Sequence, residues 1–112
     1  MANKFRSFGW FRDEKDQTGS RRPAVVANDD NLGKFPLKVI APITDWKDRY
    51  QMAVWMVKIT PDATNGLSKD SSVDCFQVRS VSEKRFVKKL GELTAVQQDQ
   101  IKEALAKVLT IE

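Results

Sequence analysis

The sequence predicts a mainly β (α+β) fold, a small partly open barrel or curled sheet with one helix at the C-terminus. Two observations carry this. Short apolar runs rich in β-branched residues recur between turn-forming residues from Phe8 to Leu90. Only after Leu93 does a 3.6-residue apolar period persist long enough for a helix. At 112 residues, with 41% hydrophobic side chains, the chain has the size of one domain with one core, taken as 1–112.

The elements follow in order. Residues 1–12 hold Phe5, Phe8, Trp10 and Phe11 among polar and basic neighbours. They read either as a short first strand over Phe8–Arg12 or as a loosely ordered arm. Asp13–Arg22 is polar and broken by Gly19-Ser20, hence a loop. Ala24–Ala27 is a buried strand. Asn28–Gly33 is turn chemistry. Leu37–Ile43 is the next strand, with Pro42 near its end, where a missing N–H is tolerated. Thr44–Tyr50 reads as a polar loop, Ala53–Ile59 as a strand with Trp55, Val57 and Ile59 on one face, and Ser72–Val81 as another strand. Ser82–Arg85 reads as a helical turn and Phe86–Leu90 as a return to the sheet. Thr94 and Gln97 have the spacing of a capping box. Beyond them Val96, Ile101, Ala104, Leu105, Val108 and Leu109 share one helical face.

Composition excludes much chemistry. With no His there is no Ser-His-Asp triad, no Cys-His pair and no His-ligated zinc. One Cys allows no intramolecular disulfide and no Cys-x-x-Cys knuckle; Cys75 reads as a buried small hydrophobe. No metal or cofactor is expected. No apolar run is long enough to cross a bilayer or serve as a signal peptide, so the expected compartment is the cytoplasm, without membrane partners. The net charge is +4, with +3 in residues 1–56, which favours an anionic partner such as nucleic acid or an acidic protein.

Three features offer chemistry, each with a plainer alternative. Arg21-Arg22 before Pro23 set two guanidiniums at the mouth of a barrel, where they hold phosphate; the alternative is two solvated loop arginines. Thr44 follows an apolar run and offers a hydroxyl to a developing oxyanion; the alternative is a turn-forming Thr. Asp45–Tyr50 interleaves Trp46 and Tyr50 with Lys47 and Arg49, a pattern that stacks bases and contacts phosphates; the alternative is aromatics folded back onto the core. Lys84, Arg85, Lys88 and Lys89 read as a solvated face.

Five short motifs then occur in one order: Arg-Arg-Pro-Ala-Val-Val at 21–26, Ala-Pro-Ile-Thr at 41–44, Gly-Leu-Ser-Lys-Asp-Ser at 66–71, Gln-Val-Arg-Ser-Val at 77–81 and Lys-Leu-Gly-Glu-Leu at 89–93. Together with the C-terminal helix they resemble the MazF/PemK toxins of bacterial toxin–antitoxin systems, over roughly residues 20–110. The resemblance implies an SH3-like, CcdB/MazF-like barrel that forms a homodimer. It implies a sequence-specific, metal-independent endoribonuclease (an mRNA interferase) that cuts single-stranded RNA. A ribose 2′-OH attacks the adjacent phosphate and leaves a 2′,3′-cyclic phosphate and a 5′-OH. It also implies a cognate antitoxin whose disordered acidic tail covers the RNA site. By motif, Arg22 matches the catalytic arginine, Thr44 the catalytic threonine, and Arg79 a recurrent position that supports the groove or dimer; with such a substrate, the phosphate- and base-binding chemistry of Arg21, Trp46, Lys47 and Arg49 makes them, with Arg79, the expected RNA-binding residues. A guanidinium stabilises phosphate charge; with a pKa above about 12 it does not shuttle protons.

The chain departs from the family pattern at its front. Gly9-Trp10-Phe11 is a shortened version of the usual first strand, and Gly19-Ser20 runs directly into Arg21 without the usual Glu-Gln. Phe76 stands where some members carry an acidic residue, with Asp74 nearby and, on a continuous strand, on the same face. This supports a second reading, a catalytically impaired member that keeps antitoxin and RNA binding. A third, a CcdB-like gyrase poison, is disfavoured because the chain ends Leu109-Thr110-Ile111-Glu112, without the Trp-Gly-Ile of that family.

Overall fold

The structure, a computed structural model, describes residues 7–12, 21–27, 37–82 and 86–110. Among these residues seven antiparallel strands form one curled sheet: β1 (Ser7–Arg12), β2 (Arg21–Val26), β3 (Leu37–Asp45), β4 (Met56–Ile59), β5 (Ser71–Asp74), β6 (Arg79–Ser82) and β7 (Phe86–Glu92). Their order is β4-β5-β3-β2-β1-β7, with β6 also on β3. Among the described residues one α-helix, α1 (Ala95–Val108), follows. The mainly β class with a C-terminal helix is therefore as expected.

Strand β3 is the hub. One edge pairs with β2 through Ala24↔Pro42, Val25↔Ala41 and Val26↔Ile40. The other edge is shared, β6 taking Leu37–Ile40 and β5 taking Ile43–Asp45. Pro42 lies inside this strand rather than near its end. The register explains why. Ala27 donates to the Val39 carbonyl at 2.7 Å, so by alternation the peptide groups of residues 39 and 41 face β2 and position 42 faces the other edge. There β6 has ended at Ile40 and β5 begins only at Ile43, so no ladder bond is missed.

Alternation on the hub sorts the two faces. Val25, Ala41, Ile43, Val57, Ile59, Val73 and Cys75 join Leu93, Ile101, Ala104 and Leu105 in the main core, closed by α1. Ala24, Ile40 and Val81, on the alternate positions, form a small second cluster. The helix starts at the predicted capping box. Thr94 Oγ1 accepts from Gln97 N–H at 3.2 Å, and Gln97 Oε1 accepts from Thr94 N–H at 2.9 Å. Of the predicted apolar face, Ile101, Ala104 and Leu105 are buried, whereas Val96 and Leu109 are exposed.

Other boundaries differ from expectation. The strand reading of Phe8–Arg12 holds over the loose arm, but it starts one residue earlier, at Ser7, and pairs with both β2 and β7. Arg21 and Arg22 belong to β2 rather than to a preceding loop. Strand β3 runs on to Asp45, and a 3₁₀ turn occupies Asp48–Met52. Residues 53–55 form turns instead of strand, because Ala53 N–H bonds the Tyr50 carbonyl and Met56 N–H the Ala53 carbonyl. The expected strand over 72–81 is broken by a 3₁₀ turn at Cys75–Gln77. The Asp74 carboxylate causes the break, accepting from Phe76 N–H at 3.1 Å and from Gln77 Nε2 at 2.9 Å. The expected loop over 13–20 and turn over 28–33 lie outside the described residues. So do residues 83–85 of the expected helical turn, whose Ser82 instead ends β6.

A polar knot pins β7. Asn65 is fully buried. Its Oδ1 accepts from Asp62 and Leu67 N–H, and its Nδ2 donates to the Thr60 carbonyl at 2.8 Å. Asp62 in turn accepts from the N–H groups of Thr64 and Asn65, and these bonds, the Thr64 one foremost, hold its carboxyl below the usual pKa. Gly91 of β7 packs directly on this knot. A Cβ there would overlap the Thr64 carbonyl oxygen and lie 2.7 Å from Asn65 Cα. Gly91→Ala is therefore expected to cost about 2 kcal/mol, read as a fall in Tm on the order of 8 °C. Asn65→Ala leaves three backbone groups without partners and is expected to cost about 2–4 kcal/mol, measurable by urea denaturation.

Candidate functional site

The last β2–β3 pair is Ala24↔Pro42. Beyond it the two strands part. Arg22 and Arg21 stay with β1, opposite Phe11 and Arg12, while Thr44 and Asp45 go to β5, opposite Ser72 and Ser71. The sequence dictates this fork. By the same alternation position 23 faces β3, and Pro23 has no N–H to extend the ladder. Counted on two places, the β2–β3 register sets position 22 across from Thr44, one residue on each prong. Thr44 belongs to the alternate set of Ile40 and Pro42, away from the core under α1.

The row continues across the sheet. Thr44 pairs with Ser72, and Ser72 with Lys58 of β4. Thr44 and Lys58 are exposed, but Ser72 between them is fully buried and its hydroxyl contacts Met56 Sδ at 3.2 Å. Arg79 pairs with Ile40 on β6 and so shares the Ile40–Pro42–Thr44 face. Ile40 and Thr44 are four positions apart, about 13 Å of extended chain. Past the end of β3, four groups stack in series. The Arg49 guanidinium lies 5.4 Å from the Tyr50 ring. Tyr50 meets Trp46 edge-on with centroids 5.9 Å apart. Lys58 Nζ sits 5.0 Å over the Trp46 ring. Lys47 is exposed at the start of the 3₁₀ turn. Trp46 is thus half-buried between a tyrosine and a lysine.

The fork therefore gathers the backbone positions of Arg22 and Thr44, with Arg21 next to the first and Trp46 two residues past the second. Arg79 lies farther along the same face. Arg49 and Lys47 stand on the 3₁₀ turn at its edge. Asp74 no longer shares a strand face with Phe76, because the chain turns at Cys75, and its carboxylate is engaged in capping that turn. Among the described residues, no three or more His, Cys, Asp or Glu cluster as metal ligands. Among the helices of the described residues, none is long and apolar enough to cross a membrane.

Comparison with known proteins agrees with this architecture. Residues 8–109 match the model of the PemK-like, MazF-like toxins of type II toxin–antitoxin systems. The chain belongs to this family. No curated protein sequence matches it significantly. Its fold is that of the Mycobacterium tuberculosis toxin MazF-mt6, at 20% identity and a TM-score of 0.77 over 95% of this chain and 98% of that one. A MazE–MazF crystal structure from Deinococcus radiodurans aligns at 22% identity and a TM-score of 0.76, over 99% and 98% of the two chains. A mycobacterial endoribonuclease solved with its cognate antitoxin aligns at 16% identity and a TM-score of 0.74, over 100% and 98%.

Within this MazF-like fold, Lys58 and Ser72 are the members of the row that sequence reasoning passed over. Their only signal is parity with Met56 and Asp74 on their own strands, and parity says nothing of which strands become neighbours. Cys75 is buried as expected. Burial, and then the Asp74 charge, push its pKa up to about 12. The native thiol should react with a disulfide reagent at pH 8 at least tenfold more slowly than in denaturant, by absorbance. Because the raised pKa keeps the folded thiol protonated where the unfolded one ionises, Cys75 lowers stability as pH rises from about 9 to about 12.

Proposed function

We propose that this protein is the toxin of a toxin–antitoxin pair and a sequence-specific, metal-independent endoribonuclease acting on single-stranded RNA, including mRNA. The observation that supports the reading is the fork, where the β2–β3 ladder stops at Ala24↔Pro42, two residues before Arg22 on one prong and Thr44 on the other, in a chain of the MazF-like family. The substrate phosphate sits between the prongs. The ribose 2′-oxygen attacks phosphorus, the P–O5′ bond breaks, and the departing 5′-oxygen takes up a proton. The 2′-OH proton goes to a base. Charge gathers on the non-bridging oxygens, where the Arg22 guanidinium and the Thr44 hydroxyl stabilise it. Arg22 acts electrostatically and not as the base. Arg21, Lys47, Arg49 and Arg79 supply phosphate and groove contacts, and Trp46 a stacking surface.

The partners follow from the same reading. The protein works as a cytoplasmic homodimer, and an acidic antitoxin tail competes with RNA for the basic face; that MazF was solved with MazE and an endoribonuclease with its cognate antitoxin supports the antitoxin part of the reading. The alternative is a member that binds RNA and antitoxin without turnover. It draws support from Asp74, whose two carboxylate oxygens are each engaged by a donor from the following turn.

Cleavage of a long single-stranded RNA in EDTA tests the proposal. Cuts at one short motif, ending in cyclic phosphate and 5′-OH, are expected. Arg22→Ala should lower the rate about 10²–10³-fold. Thr44→Val, at an exposed strand position that favours β-branched residues, should lower it by at least an order of magnitude while leaving Tm unchanged. RNA binding by a folded protein without any cleavage would favour the alternative.

A further inference from the structure

We infer that Lys58 is a phosphate-binding residue for the RNA strand, on the side of Thr44 away from Arg22. The inference rests on the ribonuclease reading above and adds to it a residue and its role. Three observations carry it. First, Lys58 belongs to the same cross-strand row as Thr44, two strands away, on the edge of β3 opposite to the one that pairs with β2. Adjacent strands lie about 4.8 Å apart. The row thus sets the Lys58 backbone about 10 Å from that of Thr44, with Ser72 between them fully buried and its hydroxyl on Met56 Sδ.

Second, the ammonium lies 5.0 Å from the ring centroid of Trp46, so the charge sits beside a ring that belongs to the residue just past β3, two positions after Thr44. A flexible four-carbon stem allows this reach. Third, the charge is only loosely held. Its acidic neighbour is Asp70 at 3.8 Å, with both side chains about half exposed, at 45% and 50%. Such a pair contributes little. Lys69, by contrast, is held at 3.0 Å by Asp45. A phosphate oxygen offers Lys58 a stronger partner than Asp70. When the ammonium leaves the Trp46 ring for that phosphate, the ring face it covered opens to a base.

The test measures binding of an uncleavable single-stranded DNA oligonucleotide of mixed sequence by fluorescence anisotropy across a salt series. DNA retains the phosphates and lacks the nucleophilic 2′-OH. Lys58→Ala should weaken binding several-fold at low salt and reduce the slope of log K against log salt by roughly 0.7, the value for one phosphate contact in a single strand. Lys58→Arg should restore the slope. In RNA cleavage, Lys58→Ala should raise KM several-fold with kcat within about twofold, as for lost uniform binding. Lys69→Ala is the control and should leave the slope unchanged. A wild-type slope in Lys58→Ala, or an equal loss in Lys69→Ala, overturns the role of Lys58 while the ribonuclease reading stands. No salt-dependent binding by wild-type protein that also fails to cut RNA overturns both. Thermal melts of each variant separate misfolding from lost contact.

Discussion

Everything in this protein hangs on strand β3 and on where its hydrogen bonds are missing. Nine residues run from Leu37 to Asp45, bonded to β2 on one edge and to β6 and then β5 on the other. Proline occurs at the two places where the ladders permit it. Pro42 occupies the gap between β6 and β5, and Pro23 ends the ladder to β2. A sheet is uniform unless a backbone group is absent, and the N–H that Pro23 lacks turns a uniform ladder into a fork. The candidate site is that fork.

The same strand sorts burial from chemistry. Ala41 and Ile43 point into the core beneath α1, and Pro42 and Thr44 point the other way. Because the side-chain period is two, a slip of one residue would bury Thr44 and expose Ile43. The apolar demand of the core therefore also positions the hydroxyl. The loop 60–67 contributes at a distance. Its buried Asn65 fixes the peptide groups against which Gly91 of β7 closes, and β7 in turn holds β1, the strand that keeps Arg22 in the sheet.

Charge on the open face is arranged loosely, as suits a surface that binds an anion. The Arg49–Tyr50–Trp46–Lys58 stack keeps two cations against aromatic rings, at a cost of about 1 kcal/mol or less to release each. Buried groups behave in the opposite way. Asp74 is spent on capping the turn after β5, and Cys75 is held protonated in the core. The residues best placed to meet a ligand are those that the fold itself does not need.

The sequence by itself determined the mainly β class, the capped C-terminal helix, the burial of Cys75 and the exclusion of histidine and disulfide chemistry. These depend on composition, on a local hydroxyl–amide exchange between Thr94 and Gln97, and on short-range apolar periods. The motifs also singled out Arg22 and Thr44, although not that both stand on strands. Tertiary structure alone decided the rest. That β2 and β3 are neighbours, that their ladder stops two residues short of Arg22 and Thr44, and that Lys58 from a third strand joins their row are facts of strand pairing. The turn at Cys75 was hidden for a related reason: a residue of low turn preference bends because the Asp74 side chain before it outcompetes the ladder. Pairing links residues far apart in the chain, through backbone groups that every residue shares, and so leaves almost no mark on the order of side chains.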